Sequence, residues 1–221
     1  MSGLGAEAKR AREERGWTQA EAAERLGVSQ GYVSLLESGG RPVPRRLAPS
    51  LLKTLRLSPS ALPPSELNLD PDRLPGVLGA LGYEPFGYLR GRLLSPTAVL
   101  LSALRQKDLP SRVVEALPWL ALHFPDLNWE WLVERAKLHD VQNRLAYVVT
   151  LASELAGAGV AARLREVVLG LEPSRLACED TLCHDSMTEA ERRWLRQQRP
   201  QQAEHWNLLT DLRREHLPYA A

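Results

Sequence analysis

Residues 18–39, TQAEAAERLGVSQGYVSLLESG, constrain the fold more than any other part of this chain. Thr18, followed three residues later by Glu21, has the spacing of a capping box, which begins a helix. Gly27 favours the left-handed backbone conformation that ends a helix, and Ser29 is a candidate cap for the helix that follows. The segment therefore predicts two short helices joined by a tight turn.

The second of these helices has an apolar and a polar face. Val33 and Leu36 are spaced to face the interior, which leaves Gln30, Tyr32 and Ser34 on the outside. A glycine turn followed by a helix with short polar side chains at its start is the geometry that places a helix end in the major groove of DNA. The pattern predicts DNA binding. The alternative is a helical hairpin of the same shape that binds no DNA.

Residues 4–57 resemble the lambda-repressor-like (Xre-type) helix-turn-helix regulators, in the lead-in AREERGWTQ, the turn RLGVSQ and the exit VSLLESGGRP. The resemblance implies that the first turns of the recognition helix read bases, through Gln30, Gly31, Tyr32 and Ser34. It also implies that Gln19 can pack with Gln30. Gly31 lacks the side chain that relatives often carry there.

Arginines follow the recognition helix directly, where they would flank the groove and contact phosphates. A solvated, charge-rich loop is the alternative. The complete set of candidate DNA-binding residues is Thr18, Gln19, Ser29, Gln30, Gly31, Tyr32, Ser34, Ser38, Arg41, Arg45 and Arg46.

The net charge of +1 conceals an asymmetry along the chain. Residues 1–57 contain ten Lys and Arg against six Asp and Glu, which gives +4, whereas residues 58–221 contain 18 against 21, which gives −3. Because DNA binding requires positive charge that neutralises phosphates, the basic excess lies where the helix-turn-helix predicts contact.

The chain is long enough for one large domain or two small ones. Five prolines between residues 58 and 75 cannot continue a helix. We therefore predict a helix-turn-helix DNA-binding domain over residues 1–65, a proline-rich linker over 66–75, and an α-helical domain over 76–221 for sensing, dimerisation or partner binding. No apolar run approaches a membrane span, no secretion leader is evident, and two cysteines suit a reducing compartment. The expected location is the cytoplasm, at the nucleoid.

The remainder of the chain reads as helical. The predicted fold class is therefore all-α, with an N-terminal lambda-repressor-like helix-turn-helix bundle followed by a larger α-helical domain. Pro118 is expected to bend or break the helix that Ser111 begins. Thr188 with Glu191 predicts a second capping box, and the last helix is expected over about residues 202–214.

One stretch has apolar residues three and four apart, as in a coiled coil: Leu138, Val141, Leu145, Val148, Ala152 and Leu155. Seams this short are usually intramolecular, so we interpret the stretch as the core helix of a bundle, with a dimerisation surface as the alternative. The C-terminal region contains five tryptophans: Trp119, Trp129, Trp131, Trp194 and Trp206. We expect them to pack in the core, with the lining of an apolar pocket or groove as the alternative.

Candidate metal and catalytic sites are weaker. Cys178, Cys183 and His184 form C-x4-C-H, and a structural zinc site would need His205 or His216 as a fourth ligand. The spacing matches no common zinc signature, so we predict two free thiols, no metal and no cofactor.

Four polar residues cluster along the predicted long helix: His139, Asp140, Asn143 and Arg144. An i,i+4 ion pair between Asp140 and Arg144 on a solvated face is a simpler interpretation than an acid–base site. Three acidic residues lack the spacing of a calcium loop or a paired-metal site: Glu179, Asp180 and Asp185. No phosphate-binding glycine loop or nucleophile elbow is present, so we do not expect an enzyme.

Together these patterns predict a sequence-specific, double-stranded DNA-binding transcriptional regulator of prokaryotic type, which acts by operator occupancy with a C-terminal helical regulatory domain. The alternative is an antitoxin or adaptor whose C-terminal domain binds a partner protein and whose N-terminal domain autoregulates. The expected partners are double-stranded DNA, a second copy of this chain, and a protein or small-molecule effector at the C-terminal domain. No membrane partner is expected.

Overall fold

The computed structural model describes residues 3–219, which divide into two compact units. Unit 1 comprises the described residues up to 63 together with 93–95, and unit 2 comprises 64–92 together with those from 96 onward. The predicted domains, 1–65 and 76–221, extend by two residues at each end of the chain beyond the described part.

Unit 1 contains α1 (Leu4–Glu14), α2 (Gln19–Leu26), α3 (Gln30–Glu37) and α4 (Ala48–Leu55). Unit 2 contains α5 (Leu74–Ala80), α6 (Pro96–Leu104), α7 (Ser111–His123), α8 (Trp129–Leu138), α9 (Gln142–Leu155), α10 (Ala158–Leu171), α11 (Glu189–Gln198) and α12 (Gln201–His205). Two short strands of unit 2, β1 (Asp180–Thr181) and β2 (Leu208–Leu209), pair in parallel. The prediction of an all-α fold, with a helix-turn-helix region followed by further helices, is confirmed.

Unit 1 buries one face of each of its four helices in a shared core, and α1 and α2 both pack against α3 and α4. The buried residues of α1 and α2 are mostly small: Leu4, Ala8, Ala11, Ala22, Ala23 and Leu26. The leucines of α4 and half-buried Trp17 pack against the same core. These larger side chains fill the volume that the alanines leave.

Small residues also let α1 approach the end of α3 closely. A Cβ atom built on Gly5 would lie 1.9 Å from the carbonyl oxygen of Leu36, far inside van der Waals contact. Only a residue without a side chain fits at this crossing. The crossing therefore holds the C-terminal end of α3 against α1.

The centre of unit 2 is α9, which packs against α7, α8, α10 and α12. Every residue from 142 to 149 is buried, and Leu145, Tyr147 and Val148 have no exposed surface. Pro118 lies inside α7, which continues past it to His123, so the proline does not break this helix. It removes one backbone hydrogen bond, and its buried ring packs in the interior.

The heptad-like stretch is two helices and not one. α8 ends at Leu138, and Asp140, with φ of 56°, takes a left-handed conformation before α9 begins. Leu138 is 62% exposed, whereas Leu145 and Val148 are fully buried. The core-helix interpretation is confirmed for the residues of α9 from Leu145 to Ala152, and this part of the seam offers no dimerisation surface because unit 2 itself covers it.

The C-terminal region has one expected and one unexpected helix boundary. Thr188 Oγ1 accepts a hydrogen bond from the backbone N–H of Glu191 at 3.3 Å, so the predicted capping box is confirmed. The expected helix over 202–214 is wrong, because α12 ends at His205. Asn207, with φ of 53°, stops the helix, and the next two residues pair with β1 instead.

The segment predicted as a linker, 66–75, runs along unit 2. The backbone N–H of Leu69 donates to Ser102 Oγ at 3.0 Å, and Gln106 Nε2 donates to the carbonyl of Leu69 at 3.0 Å. Glu66 lies 3.3 Å from Arg135 Nη1. These contacts fasten the proline-rich chain to the helices of unit 2.

The longest helices in the described part of the chain, α9 and α10, have 14 residues each. A membrane span takes about 20 apolar residues, and none of the described helices is long and apolar enough to cross a bilayer.

Candidate nucleic-acid interface

A reciprocal cap and a left-handed glycine shape the turn before α3. Glu21 N–H donates to Thr18 Oγ1 at 3.2 Å, and Thr18 N–H donates to Glu21 Oε2 at 2.6 Å. The hydrogen bond from the backbone N–H of Thr18 is the main cause that lowers the pKa of Glu21, and the bond from the Thr18 hydroxyl lowers it further. Gly27, with φ of 67° and ψ of 35°, ends α2. The chain therefore turns sharply into α3, as the sequence predicts.

The start of α3 is capped and polar. Ser29 Oγ accepts a hydrogen bond from the N–H of Tyr32 at 3.2 Å. Val33 and Leu36 are buried, while Gln30 and Ser34 are exposed, one turn apart. The apolar face of α3 thus anchors the helix in unit 1, and its polar face is open to solvent.

Arginine side chains lie beside and beyond the end of α3. The guanidinium of Arg41 lies over the ring of Tyr32, 5.1 Å from its centroid, and Arg41 N–H donates to the carbonyl of Leu35 at 3.0 Å. A cation over an aromatic face is attracted to it, which orients the side chain. Arg45 and Arg46 are exposed in the loop before α4. Three arginines therefore follow α3 in the chain, and the first of them, Arg41, contacts the polar face of the helix through Tyr32.

Four of the candidate DNA-binding residues also make bonds within unit 1. The hydroxyls of Thr18 and Ser29 cap helices, and Ser38 Oγ donates to a backbone carbonyl of α3 at 3.3 Å. Gln19 Nε2 donates to Glu37 Oε2 at 3.0 Å. The remaining candidates are exposed, apart from half-buried Tyr32: Gln30, Gly31, Ser34, Arg41, Arg45 and Arg46.

A buried ion pair that the sequence analysis missed holds α1 to α3. Arg12 Nε and Nη2 donate to the two carboxylate oxygens of Glu37 at 2.6 and 2.9 Å, and Arg12 Nη1 donates to the carbonyl of Trp17 at 2.7 Å. Both side chains are less than a tenth exposed. In the sequence, Arg12 stands next to Ala11 and Glu37 next to Leu36, so each helix has a charged residue on its apolar side. No local pattern indicates that these two residues, 25 positions apart, form an ion pair.

Burial alone would raise the pKa of Glu37, because it penalises the charged carboxylate. Hydrogen bonds from Arg12 and Gln19, together with the charge of Arg12, outweigh that penalty, so the pKa is lowered. The carboxylate is therefore ionised at neutral pH. It links α1, the start of α2 and the end of α3 in one network.

The expected ion pair between Asp140 and Arg144 is not formed. Asp140 lies in the turn between α8 and α9, while Arg144 is buried and donates to both carboxylate oxygens of Asp180 at 2.7 Å. Arg144 Nη1 also donates to two backbone carbonyls at the end of α6, at 3.0 and 2.7 Å. Arg144 is thus a structural centre of unit 2, since its donors are taken by protein groups.

The other two members of that polar cluster are also engaged. Asn143 donates to the carbonyls of Leu176 and Trp206 at 3.0 and 2.7 Å, and accepts from Leu176 N–H at 3.0 Å. His139 Nε2 lies 3.2 Å from Glu66 Oε2. The cluster fastens the C-terminal segment and residue 66 to the helices.

The two cysteines are free and lie in different surroundings: Cys178 is exposed and Cys183 is buried. Burial raises the pKa of the Cys183 thiol to about 12, so it is not a thiolate at neutral pH. The three acidic candidates each have an arginine partner within 3.4 Å: Glu179 pairs with Arg196, and Asp180 and Asp185 pair with Arg144. Within residues 3–219, no group of three or more His, Cys, Asp and Glu is arranged to hold a metal ion.

The tryptophans do not share one role. Trp206 is buried, as expected for a core side chain, whereas Trp194 is 53% exposed. Trp119 stacks on His123, with ring centroids 4.6 Å apart. Half-buried Trp129 lines a groove between α8 and α10, so the pocket-lining alternative applies to this residue.

Comparison with known proteins bears on unit 1. No curated protein and no solved structure matches the chain. A family model described as a helix-turn-helix domain matches residues 4–63, which is about a quarter of the chain and includes α1 to α4. Residues 4–63 are thus a helix-turn-helix domain, a type of domain that points to DNA as the partner.

Proposed function

We propose that this protein is a sequence-specific, double-stranded DNA-binding regulator of transcription, of the prokaryotic Xre type, which acts by operator occupancy in the cytoplasm, at the nucleoid. The observation that carries the proposal is the capped, exposed and polar start of α3. Gln30 and Ser34 lie one turn apart on the open face, directly after the cap at Ser29. In helix-turn-helix proteins, side chains at the start of the second helix contact base edges.

In this proposal one set of residues reads bases and another binds phosphates. Gln30, Tyr32 and Ser34 read base edges, and an amide such as that of Gln30 matches adenine in a bidentate contact. Arg41 and Arg45 contact phosphates, which position the domain without reading sequence. The net charge of +4 on residues 1–57 supports this division, because it draws the domain to the DNA backbone.

We also propose that two copies bind a two-fold related site. One module of this size buries little DNA surface, and linking two raises the overall affinity through effective concentration. Dimeric helix-turn-helix proteins read half-sites about 34–36 Å apart, or a multiple of that. The heptad-like seam cannot form the dimer, because Leu145 and Val148 are enclosed in unit 2.

Selection of bound sequences from random double-stranded DNA by the full-length protein tests the proposal. We expect a defined sequence to be enriched, as two symmetric half-sites. The matched variant Gln30→Ala/Ser34→Ala keeps the caps and the arginines, so it is expected to lose base preference while retaining nonspecific binding. Failure of the unaltered protein to enrich any sequence contradicts sequence-specific readout, and a single unrepeated half-site contradicts the dimer.

For unit 2 we propose a regulatory role and no catalytic one. An acid–base site could be drawn from four residues: His139, Asp140, Asn143 and Arg144. Asn143 and Arg144 bond to backbone carbonyls and to Asp180, and His139 lies 3.2 Å from Glu66. Groups engaged in this way hold the fold together and are not available to a substrate.

A second candidate function is that of an antitoxin or adaptor whose C-terminal unit binds a partner protein. The observation that favours it is a groove of about 650 Å³ between α8 and α10, in which Trp129, Val133 and Val167 lie among charged side chains of both helices. An apolar strip with charged borders suits an amphipathic partner helix. Co-expression with the product of the neighbouring gene tests this: a stoichiometric complex that Val167→Glu disrupts supports it, and the absence of any complex excludes it.

A further inference from the structure

We propose that a cavity in the C-terminal part of unit 2 is a binding site for a small organic cation with an apolar body. The cavity has a volume of about 480 Å³ and lies between α7, α11 and the chain that follows β1 and β2. Small-molecule sites in proteins range over about 300–1,000 Å³, so this cavity has room for a ligand of that class.

The wall of the cavity has an apolar part and a polar part, and the apolar part is already formed. Met187, Leu195 and Leu209 pack on one another as a small buried cluster, and Val114 of α7 lines the same cavity. Because the cluster is packed without a ligand, the wall needs no ordering when one binds. An alkyl or aryl body is therefore the part of a ligand that this wall accepts.

Two carboxylates give the cavity its charge preference. Glu115 of α7 and Asp211 after β2 both line it, whereas no lysine or arginine does. Neither carboxylate belongs to a salt bridge among the described residues, unlike Glu179, Asp180 and Asp185. The other polar groups of the lining are two hydroxyls, the thiol of Cys183 and the imidazoles of His184 and His216. A ligand ammonium group would be attracted here, and a carboxylate would be repelled.

The cavity lies between parts of unit 2 that are distant in sequence, since α7 forms one wall and residues from 182 onward form the others. A ligand that bridges them stabilises the native arrangement of unit 2 by mass action. Binding is a property of unit 2 by itself. The role of the ligand as the effector of a transcriptional regulator rests on the proposed function.

Isothermal titration calorimetry on the full-length protein, without DNA, tests the site. Three probes share one apolar body and differ in head-group charge: n-octylammonium, 1-octanol and octanoate. The titrations are made at pH 8, where an ordinary imidazole carries no charge. We expect n-octylammonium to bind saturably with one site per chain, at least tenfold more tightly than 1-octanol, and octanoate to bind most weakly.

Variants assign the binding to this cavity. Glu115→Gln/Asp211→Asn keeps the size of both side chains and removes their charge, so n-octylammonium should lose at least tenfold in affinity while 1-octanol is unaffected. Val114→Phe fills the cavity and should weaken all three probes. Glu204→Gln, at an exposed position of α12 outside the cavity, is the matched control and should change none of them.

Several results would overturn the proposal. These are the absence of saturable n-octylammonium binding, octanoate binding as tight as that of n-octylammonium, or undiminished binding in a correctly folded Val114→Phe variant. DNA selection on the same preparations keeps the two proposals apart. Protein that selects DNA but does not bind n-octylammonium refutes this site alone, and protein that binds n-octylammonium but selects no DNA refutes the proposed function alone.

Discussion

Gly5 and Gly31 are both helical glycines in unit 1, with opposite surroundings. A Cβ on Gly5 would collide with the carbonyl oxygen of Leu36, whereas a Cβ on Gly31 would meet nothing within 4 Å. We therefore predict that Gly5→Ala destabilises unit 1 by at least about 1–3 kcal/mol through overpacking. Gly31→Ala should stabilise it by up to about 1 kcal/mol, because alanine loses less backbone entropy in a helix.

Hydrogen exchange of the amides in α1 and α3, followed by mass spectrometry, measures both effects without interference from unit 2. Each variant is the control for the other, since both make the same chemical change. Protection that rises or stays constant in Gly5→Ala would show that α1 moves away from α3 at no cost.

The Arg12–Glu37 pair is the second residue-scale determinant of unit 1. Removing one member of a buried ion pair typically costs about 3–5 kcal/mol, because the other charge stays buried without a partner. We predict a loss of that order for Arg12→Met. The double variant Arg12→Met/Glu37→Leu should recover most of it. Chemical denaturation followed at the single tryptophan of unit 1, Trp17, with the other tryptophans changed to Phe, measures both. A double variant that is less stable than either single variant contradicts this explanation.

The same carboxylate gives unit 1 an acid sensitivity of known sign. The pKa of Glu37 is lower in the folded protein than the value of about 4.3 for an unstructured glutamate. Its contribution to stability is therefore complete above about pH 4.3 and is lost as the pH falls through the folded value. The protection factors of amides in α1 and α3, which correct for the slower intrinsic exchange in acid, should fall below that pH more steeply in the unaltered protein than in Glu37→Gln. Parallel curves would assign the acid sensitivity to other groups, such as Glu21.

At the scale of the element, α3 is predicted to read sequence through its exposed side chains. Loss of a bidentate amide–base contact typically removes about 1–3 kcal/mol of discrimination. Gln30→Ala should therefore lower affinity for the selected site much more than affinity for unrelated DNA. Fluorescence anisotropy with both duplexes measures the two affinities. An equal loss on both, with circular dichroism unchanged, refutes base readout by Gln30.

The loop after α3 is predicted to bind phosphates of the DNA backbone. Arg41→Ala/Arg45→Ala should weaken binding to all sequences and reduce the slope of log affinity against log salt by about one unit for each phosphate that the variant no longer neutralises. Arg10→Ala is the matched control, because Arg10 is exposed on α1 and pairs with Glu7 and Glu14. If the control changes the slope as much as the double variant does, the effect is one of net charge and not of direct phosphate binding.

Local features of these elements could be predicted from sequence because their causes lie within one turn of chain. The capping box at Thr18, the left-handed Gly27 and the cap at Ser29 each depend on bonds between residues at most four positions apart. The break at Asp140 and the stop at Asn207 could not be predicted. In each case the spacing of apolar residues continues past a residue with a left-handed backbone conformation, which that spacing does not reveal.

At the scale of the whole molecule, each unit has its own core and its own buried arginine. Arg12 serves unit 1, and Arg144 serves unit 2. We predict that Arg12→Met increases hydrogen exchange in α1 to α4 and leaves α9 protected, whereas Arg144→Met does the reverse. If each substitution loosens both units to the same extent, they unfold as one cooperative body. Neither pairing could be predicted from sequence, because the partners lie 25 and 36 positions away.

The open space beside Gly31 has a consequence for how such a protein diversifies. On its inner side, α3 is held by the ion pair of Glu37 and by the close approach of α1 at Gly5. On its outer side, position 31 has no side chain and no neighbour within 4 Å of a Cβ atom. A single codon change can place a hydrogen-bond donor, a hydrogen-bond acceptor or a methyl group at position 31 without moving a neighbouring residue. Under the proposed function, such a change would alter the set of DNA bases that α3 contacts, while the contacts that hold the helix in unit 1 stay as they are.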